Sequence, residues 1–307
     1  MSKTHRYIGK AKNTIDRLKL KGENFQVVTT SKTENVRTKN INYLFSEKHY
    51  YGKIFGLLSQ LKKMLNDNYQ HIHDSPYAGN SKNVEYYNFN SKKNFNIDVG
   101  TIYDIPNVIE ADISSAYYRT AFNLGFITEE FYLRCKSLDK TDRLVLIGSI
   151  ATIKTIDYYE KGKRVKSEIV KNDLYRMAWF KICSYVDSAL ITLMERFNRL
   201  SPDIFLFYWV DGIYFRNFQV TKHYNWQTIF KEVTELFPFD WKYQRIKQLR
   251  VINEGEKGLK IEIKKQDGTK KTFFPPKRNV KLYYLDKDGK PVNIDSNNIP
   301  EMNRVKF

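Results

Sequence analysis

The chain has 307 residues, with 52 Lys and Arg against 34 Asp and Glu, which gives a formal charge of +18 at pH 7. A hydrophobic content of 41% is enough for a folded core and argues against a disordered chain. The two cysteines, Cys135 and Cys183, exclude a disulfide framework and a four-thiolate zinc site, and they fit a reducing cytoplasm. No apolar run reaches the roughly 18 residues of a membrane span, so we expect no membrane partner.

A strongly basic chain with many aromatic residues is typical of proteins that bind nucleic acids. Aromatic residues make up 15% of the sequence, including 22 Tyr, and exposed rings can stack on bases. The excess positive charge would neutralise a phosphate backbone. The alternative is that an AT-rich coding sequence favours the codons of Lys, Asn, Tyr, Phe and Ile.

Residues 1–97 are predicted to form a basic N-terminal region with one amphipathic helix. Residues 1–45 contain ten Lys and Arg against three acids. This composition favours a loosely ordered arm along a phosphate backbone or, alternatively, a solvated tail. Apolar residues at helical spacing predict a helix within residues 47–68. Ser, Asn, Gly and Lys dominate residues 74–97, which predicts a linker.

Residues 98–255 have a more regular pattern and are predicted to form a folded domain. The pattern predicts strands or hairpins at 108–113, 143–170, 204–215 and 241–253, and helices at 114–124, 173–200 and 226–237. Further strands at 259–265, 269–274 and 280–285 make residues 256–307 a basic, β-rich region. Because strands and helices do not alternate strictly, the order predicts an α+β fold with a mixed or antiparallel sheet backed by helices.

Two aspartates interrupt apolar segments that are predicted to be buried strands. Asp112 lies in Val-Ile-Glu-Ala-Asp-Ile, and Asp211 lies in Phe-Tyr-Trp-Val-Asp-Gly-Ile. A buried carboxylate is costly unless it is paired or binds a metal ion. If the two strands are neighbours, the carboxylates are spaced for two-metal phosphoryl transfer with Mg²⁺ or Mn²⁺, whose ions lie about 3.5–4 Å apart.

The same two segments resemble active-site motifs of the family B DNA polymerases. Asp112-Ile-Ser-Ser115-Ala-Tyr117 resembles their first motif, Asp-x-x-Ser-Leu-Tyr-Pro. Val210-Asp211-Gly-Ile-Tyr-Phe resembles the end of their third motif, Asp-Thr-Asp-Ser-x-Phe. The resemblance covers roughly residues 98–290. It implies a palm domain that extends a DNA primer on a template from nucleotides, with metal ions held by the two aspartates.

The chain departs from that family in several places. Trp209 stands where the third motif usually has its other aspartate, and Tyr118 replaces the proline of the first motif. The second motif is not recognisable, so Arg176 and Lys181 on the predicted long helix are the nearest candidates for holding the incoming triphosphate. The hairpin at 143–170 replaces the long fingers helices, and no Asp-x-Glu exonuclease signature occurs upstream. The resemblance therefore implies a reduced, exonuclease-lacking palm of a phage or mobile element.

The resemblance also implies roles for residues around the aspartates. Tyr117 would lie under the sugar and exclude a 2′-hydroxyl, and Ser115 would contact a phosphate. Core packing for Tyr117 and helix capping for Ser115 are the alternatives. A later segment resembles the Lys-x-Tyr segment of the family, and a solvated strand face is its alternative. Its residues that would bind the primer–template are Lys277, Arg278, Lys281 and Tyr283.

Two other functions stay open on the sequence alone. One is a catalytically inactive polymerase-like protein that binds nucleic acid among partner proteins of a replication complex. The other is a nicking endonuclease, because His71-Ile-His73 matches a His-hydrophobe-His metal site, and Tyr86 or Tyr87 would supply its nucleophile. That site requires a strand, whereas this triplet follows a helical segment. An ordinary solvent-facing histidine pair is the alternative.

Overall fold

The computed structural model describes residues 3–30, 33–46, 54–85, 87–89, 99–100, 102–221, 224–274, 283–285 and 291–293. Within them the fold is α+β, as predicted. The helices are α1 (Lys12–Leu20), α2 (Ile54–Asp67), α3 (Tyr69–Asp74), α4 (Ala116–Asn123), α5 (Glu129–Lys136), α6 (Lys140–Gly148), α7 (Asp173–Leu200) and α8 (Trp226–Leu236). The strands are β1 (Lys3–Ile8), β2 (Phe25–Thr29), β3 (Thr33–Arg37), β4 (Ile41–Ser46), β5 (Tyr87–Phe89), β6 (Ile102–Ile105), β7 (Val108–Ile113), β8 (Lys154–Glu160), β9 (Lys163–Val170), β10 (Phe205–Trp209), β11 (Gly212–Arg216), β12 (Trp241–Asn253), β13 (Leu259–Lys265), β14 (Lys270–Phe273), β15 (Tyr283–Leu285) and β16 (Pro291–Asn293).

An eight-stranded antiparallel sheet contains both segments that carry the aspartates. Its strands lie in the order β14-β13-β12-β7-β11-β10-β5, and β6 pairs with β12 beside this path. β7 is buried on both faces because its side chains alternate between two cores. Ile109, Ala111 and Ile113 pack with residues of α7 and α8, whereas Val108 packs with residues of β12 and β13. The sheet thus has one face covered by helices and one that curls onto its own later strands.

The long helix α7 has the bounds that its sequence predicts. Asn172 caps it by accepting a hydrogen bond from the Tyr175 backbone N–H at 2.9 Å, and Pro202 follows its end. Among the described residues, α7 is the single helix long and apolar enough to cross a membrane, which differs from the expectation that no segment qualifies. Most of its apolar window is buried, and its residues contribute to two of the cores, as a core helix does.

The N-terminal region is a folded sheet rather than the loosely ordered arm or tail that its composition suggested. β1, β4, β3 and β2 form four strands of a six-stranded sheet, which β8 and β9 complete. Helix α1 packs on one face of this sheet, where Leu18 joins Val27 and Phe45 in a core. The expectation was wrong because the strands are short and bury few residues each, so the Lys and Arg content concealed their alternation.

Most elements predicted between residues 98 and 274 are confirmed, with two differences. β7, β12 and β13 have the predicted bounds, and β10 and β11 form the predicted hairpin. Residues 143–148, predicted as the start of a strand, belong to α6, because a short apolar run such as Leu-Val-Leu-Ile suits either state. The boundary predicted at residue 255 falls between paired strands, since β13 continues the sheet beside β12.

Candidate active site

Asp112 lies near the end of β7, at a position where the sheet leaves room for a carboxylate. It is paired directly with Gly212 on β11 and with Lys242 on β12. A Cβ atom added to Gly212 would lie 3.2 Å from Asp112 Oδ1. The carboxylate therefore occupies space that a larger residue at position 212 would restrict, and it remains half-buried.

Asp211 lies in the two-residue turn between β10 and β11, next to the residue that pairs with Asp112. The Ile113 N–H donates to the Asp211 carbonyl oxygen at 3.0 Å, which fixes the turn to the end of β7. Val210, the other turn residue, has a φ of +61°, a left-handed conformation that is uncommon for a β-branched side chain. Such backbone strain recurs at functional sites, where the surrounding structure holds it in place.

The two carboxylates repel one another. Burial is the main cause that raises the pKa of Asp211 to about 6, and the charge of Asp112 adds to it. Burial also raises the pKa of Asp112, with the charge of Glu110 as the second cause. Neither aspartate forms an ion pair with a Lys or Arg side chain in the described part of the chain. Two acidic groups that repel one another without a direct counter-ion are what a divalent cation would stabilise.

Glu110 precedes Asp112 by two residues on the same face of β7, and its environment is the opposite. It is 2% exposed and forms ion pairs with Lys265 at 2.5 Å and with Lys271 at 2.9 Å. Tyr214 donates a hydrogen bond to it at 2.7 Å. Although burial acts to raise it, the pKa of Glu110 is lowered by these hydrogen bonds. Lys271 is partly exposed, and its positive charge partly opposes the rise in the pKa values of both aspartates.

Helix α6 brings one cation, Lys140, near the aspartate pair and a second, Arg143, to Ser115. Arg143 Nη1 donates to Ser115 Oγ at 2.8 Å, and the Tyr118 hydroxyl donates to the Arg143 carbonyl oxygen at 3.0 Å. Ser115 has a φ of +55° and its side chain does not cap α4, so the predicted helix cap is wrong. The positive charge of Lys140, in the first turn of α6, partly opposes the rise in the pKa values of both aspartates.

Tyr117 lies two residues after Ser115, where α4 packs against α7. Its ring centroid is 5.0 Å from that of Trp179. The side chain is half-buried, so part of the ring surface remains accessible to a ligand.

The two residues predicted to hold the triphosphate have other contacts in the structure, and the role of Arg176 stays a prediction. Lys181 is 5% exposed, and its ammonium group donates to the carbonyl oxygens of His73, at 3.1 Å, and Ser75. Lys181 therefore stabilises that segment of the chain, and burial lowers its pKa. Arg176 lies over the ring of Phe180 at 5.5 Å. The prediction used their place on the long helix, which does not determine the face on which a side chain lies.

The predicted primer–template contacts lie largely outside the described residues. Lys277, Arg278 and Lys281 are not among them, and for Tyr283 only the backbone in β15, paired with β16, is described. Their role stays a prediction.

His71 and His73 lie on the short helix α3 rather than on a strand. His71 Nε2 forms a hydrogen bond with the Leu124 carbonyl oxygen at 2.7 Å, which joins α3 to the end of α4. The strand that a His-hydrophobe-His metal site requires is therefore not present at this triplet.

The donor set of the aspartate pair fits a hard divalent cation. In the described residues no group of three or more His, Cys, Asp and Glu could hold a metal ion, so an ion at the aspartate pair would have these two carboxylates as its protein ligands. Mg²⁺ is commonly bound by one or two carboxylates together with water and substrate phosphates. The buried, mutually repelling oxygens of Asp112 and Asp211 suit that mode of binding.

No protein-family model matches this chain, and neither does any curated protein. The candidate site therefore depends on the geometry of this chain. Sequence reasoning predicted its two aspartates but did not name Lys140, Arg143 and Lys271. Glu110 was the one signal in the sequence that a basic residue lies near the site, because a buried acid on the same strand face as Asp112 requires a cation as partner. Which of 52 basic residues supplies that cation depends on the fold.

Proposed function

We propose that this protein is a template-directed nucleotidyltransferase that extends a DNA strand with Mg²⁺ or Mn²⁺ on a reduced family B polymerase-like palm. The observation that supports this most is the location of Asp112 and Asp211 at the ends of two paired strands, without a direct counter-ion. The order of the motif-like segments and the charge of +18 support it as well. We further propose DNA primer–template, nucleotides and replication proteins as its partners, in the cytoplasm of a host cell if a phage encodes it.

Each residue of the site would have a distinct role. Asp112 and Asp211 would hold the metal ions. When bound, Mg²⁺ would favour deprotonation of the primer 3′-hydroxyl and neutralise charge on the leaving pyrophosphate. Lys140 and Arg143 would bind the oxygens of the triphosphate, because phosphoryl transfer depends mainly on position and charge. Tyr117 would lie against the sugar.

Primer extension on a DNA template with Mg²⁺ tests the proposal. We expect Asp112→Asn and Asp211→Asn to lower the extension rate by about 100-fold or more, the scale on which charge stabilisation of a transition state acts. Asp67→Asn is the matched control, because Asp67 is an exposed acid of α2 paired with Lys63. Separate pools of deoxynucleotides and ribonucleotides, used with wild type and Tyr117→Ala, test whether Tyr117 excludes the 2′-hydroxyl.

The inactive nucleic-acid-binding protein is the outcome that would contradict the proposal. A wild-type protein that binds primer–template but adds no nucleotide with Mg²⁺ or Mn²⁺ would favour that alternative. Equal extension by wild type and both asparagine variants would remove the aspartate pair from the mechanism.

A further inference from the structure

The outer edge of the six-stranded sheet carries a line of aromatic rings, which we call the aromatic edge: His5, Tyr7, Tyr43 and Phe45. Tyr7 stacks on Phe45 with ring centroids 5.1 Å apart and planes inclined by 19°. Tyr43 lies 6.3 Å from both Tyr7 and His5, again with nearly parallel planes. The parallel register of β1 and β4 causes this arrangement, because it joins His5 to Tyr43 and Tyr7 to Phe45.

The aromatic edge is accessible although its base is packed. Phe45 is buried in the core beneath α1, whereas Tyr7 is 43% exposed. Within the described residues β1 is the last strand of the sheet, so no further strand covers it. A large ring that is half exposed adds little to a core but offers a surface on which another ring can stack.

Positive charge surrounds these rings. The Arg17 guanidinium of α1 lies 6.0 Å from the centroid of the Tyr43 ring. Lys3 alternates with His5 and Tyr7 on β1 and therefore lies on their face of the sheet. Residues 1–45, which supply α1 and β1–β4, contain ten Lys and Arg against three acids, one of which, Glu34, pairs with Phe45 across β3 and β4. The ligand should accordingly be anionic as well as aromatic.

We propose that the aromatic edge binds single-stranded nucleic acid, which in the context of the proposed function is the unpaired template strand. Unpaired bases offer flat faces for stacking, and their phosphates accept contacts from Lys and Arg. A duplex hides its base faces, and an acidic protein segment supplies charge without rings. The sheet is connected to the candidate active site through α6, which precedes β8 in the chain and is hydrogen-bonded to Ser115. The identity of the strand as template rests on the proposed function, but the binding does not.

Fluorescence anisotropy with the full chain and a labelled oligothymidylate of about 20 nucleotides tests the proposal. Tyr7→Ala should weaken binding by about 5-fold to 100-fold, the range for loss of one base-stacking ring. Tyr7→Phe keeps the ring and should bind as wild type does. Tyr69→Ala is the matched control, because Tyr69 is an exposed tyrosine on α3 and not on the sheet. Wild-type affinity in Tyr7→Ala would overturn the proposal.

A duplex of the same length separates stacking from charge. Tyr7→Ala should leave duplex binding unchanged, whereas equal losses for duplex and single strand would contradict base stacking. Photocrosslinking of wild-type protein to an iododeoxyuridine oligonucleotide provides a readout that needs no variant. Adducts at His5, Tyr7 or Tyr43 would support the proposal, and adducts confined to other segments would overturn it.

The two proposals fail in different ways. Asp112→Asn should bind the single strand as wild type does while losing primer extension. If wild type extends no primer but Tyr7→Ala still weakens single-strand binding, the proposed activity is wrong and the nucleic-acid surface is supported. If wild type extends primers and Tyr7→Ala binds normally, the surface is wrong and the activity is supported.

Discussion

Asp211 and Asp187 are two carboxylates whose pKa is raised to about 6 mainly by burial, yet they differ in the hydrogen bonds that they accept. Asp187, on α7, accepts a hydrogen bond from the Tyr208 hydroxyl at 2.6 Å and another from the Glu85 backbone N–H at 3.1 Å. Asp211 has the negative charge of Asp112 as the next cause of its raised pKa. Asp187 also has a like charge beside it, Glu85, but the two hydrogen bonds that it accepts act to lower its pKa and rank before that charge. For Asp211 the like charge ranks directly after burial.

The comparison shows that a raised pKa alone does not identify a functional group. Asp187 joins α7, β10 and the segment at Glu85, because Tyr208 also donates to the Glu85 carboxylate at 3.1 Å. Its hydrogen-bonding capacity is used within the protein. For Asp211, a cation is the ligand that would relieve the repulsion from Asp112. The neighbouring groups therefore distinguish a structural carboxylate from a candidate functional one.

Removing the Tyr208 hydroxyl tests whether Asp187 serves the stability of the fold and not the activity. We expect Tyr208→Phe to lower the free energy of unfolding by about 1–3 kcal/mol at pH 7, because Asp187 stays buried and loses its closest donor. Chemical denaturation followed by circular dichroism measures the change, with the exposed Tyr69→Phe as control. Primer extension at low temperature should persist. Loss of extension in a folded Tyr208→Phe protein would show that the two carboxylates are not functionally distinct.

Mg²⁺ should stabilise the protein through Asp211 and not through Asp187. Both carboxyl groups have pKa values above that of an unfolded aspartate, so the stability they contribute is fully present below about pH 3.9 and is lost as pH rises through about 6. Because Mg²⁺ binds the deprotonated pair, it should restore stability above pH 6 and have little effect near pH 5. At about ten times its Kd the gain is about 1.4 kcal/mol.

Thermal denaturation between about pH 5 and 8, with and without Mg²⁺, measures this effect. Asp211→Asn should abolish the Mg²⁺ response, and Tyr208→Phe should retain it. A response that is equal in both variants would mean that the ion binds elsewhere.

A small substitution at Gly212 tests whether primer extension depends on the position of the Asp112 carboxylate. We expect Gly212→Ala to slow primer extension about 3-fold to 10-fold, equivalent to roughly 1 kcal/mol in the barrier, because the added Cβ displaces Asp112 Oδ1 slightly. Stability should change little. Gly56→Ala is the control, since a Cβ at Gly56 in α2 would meet no atom within 4 Å. Normal extension by Gly212→Ala would mean that the position of Asp112 tolerates this shift.

Long elements with a clear apolar period could be predicted from the sequence, and short ones could not. α7 and β12 have the predicted bounds because their periodic segments are long and end at polar or turn residues. α6 was predicted as a strand because its apolar run is too short to distinguish the two states. The six-stranded sheet was missed because one of its five strand pairings joins distant parts of the chain, as Val27 pairs with Asp157.

The residues of the candidate site also differ in whether the local sequence predicts them. Asp112 and Asp211 could be predicted, since each is an acid within its own apolar segment. Lys271 could not, because it reaches the site through Glu110, which lies 161 residues earlier in the chain. Lys181 was predicted to bind a ligand and is instead bonded to the carbonyl oxygens of His73 and Ser75, because its helical position does not specify its tertiary neighbours.

The pairing of β2 with β8 also has a consequence for synthesis of the chain. The paired residues are about 130 positions apart, so β2 leaves the ribosome well before its partner exists. At about 5–20 residues per second, its free edge waits for roughly 6–26 s. During that time Val27 and Val28 lie on an unpaired strand edge, which is a site for aggregation or chaperone binding. Strands β8 and β9 then complete the sheet once about half of the 307 residues have been made.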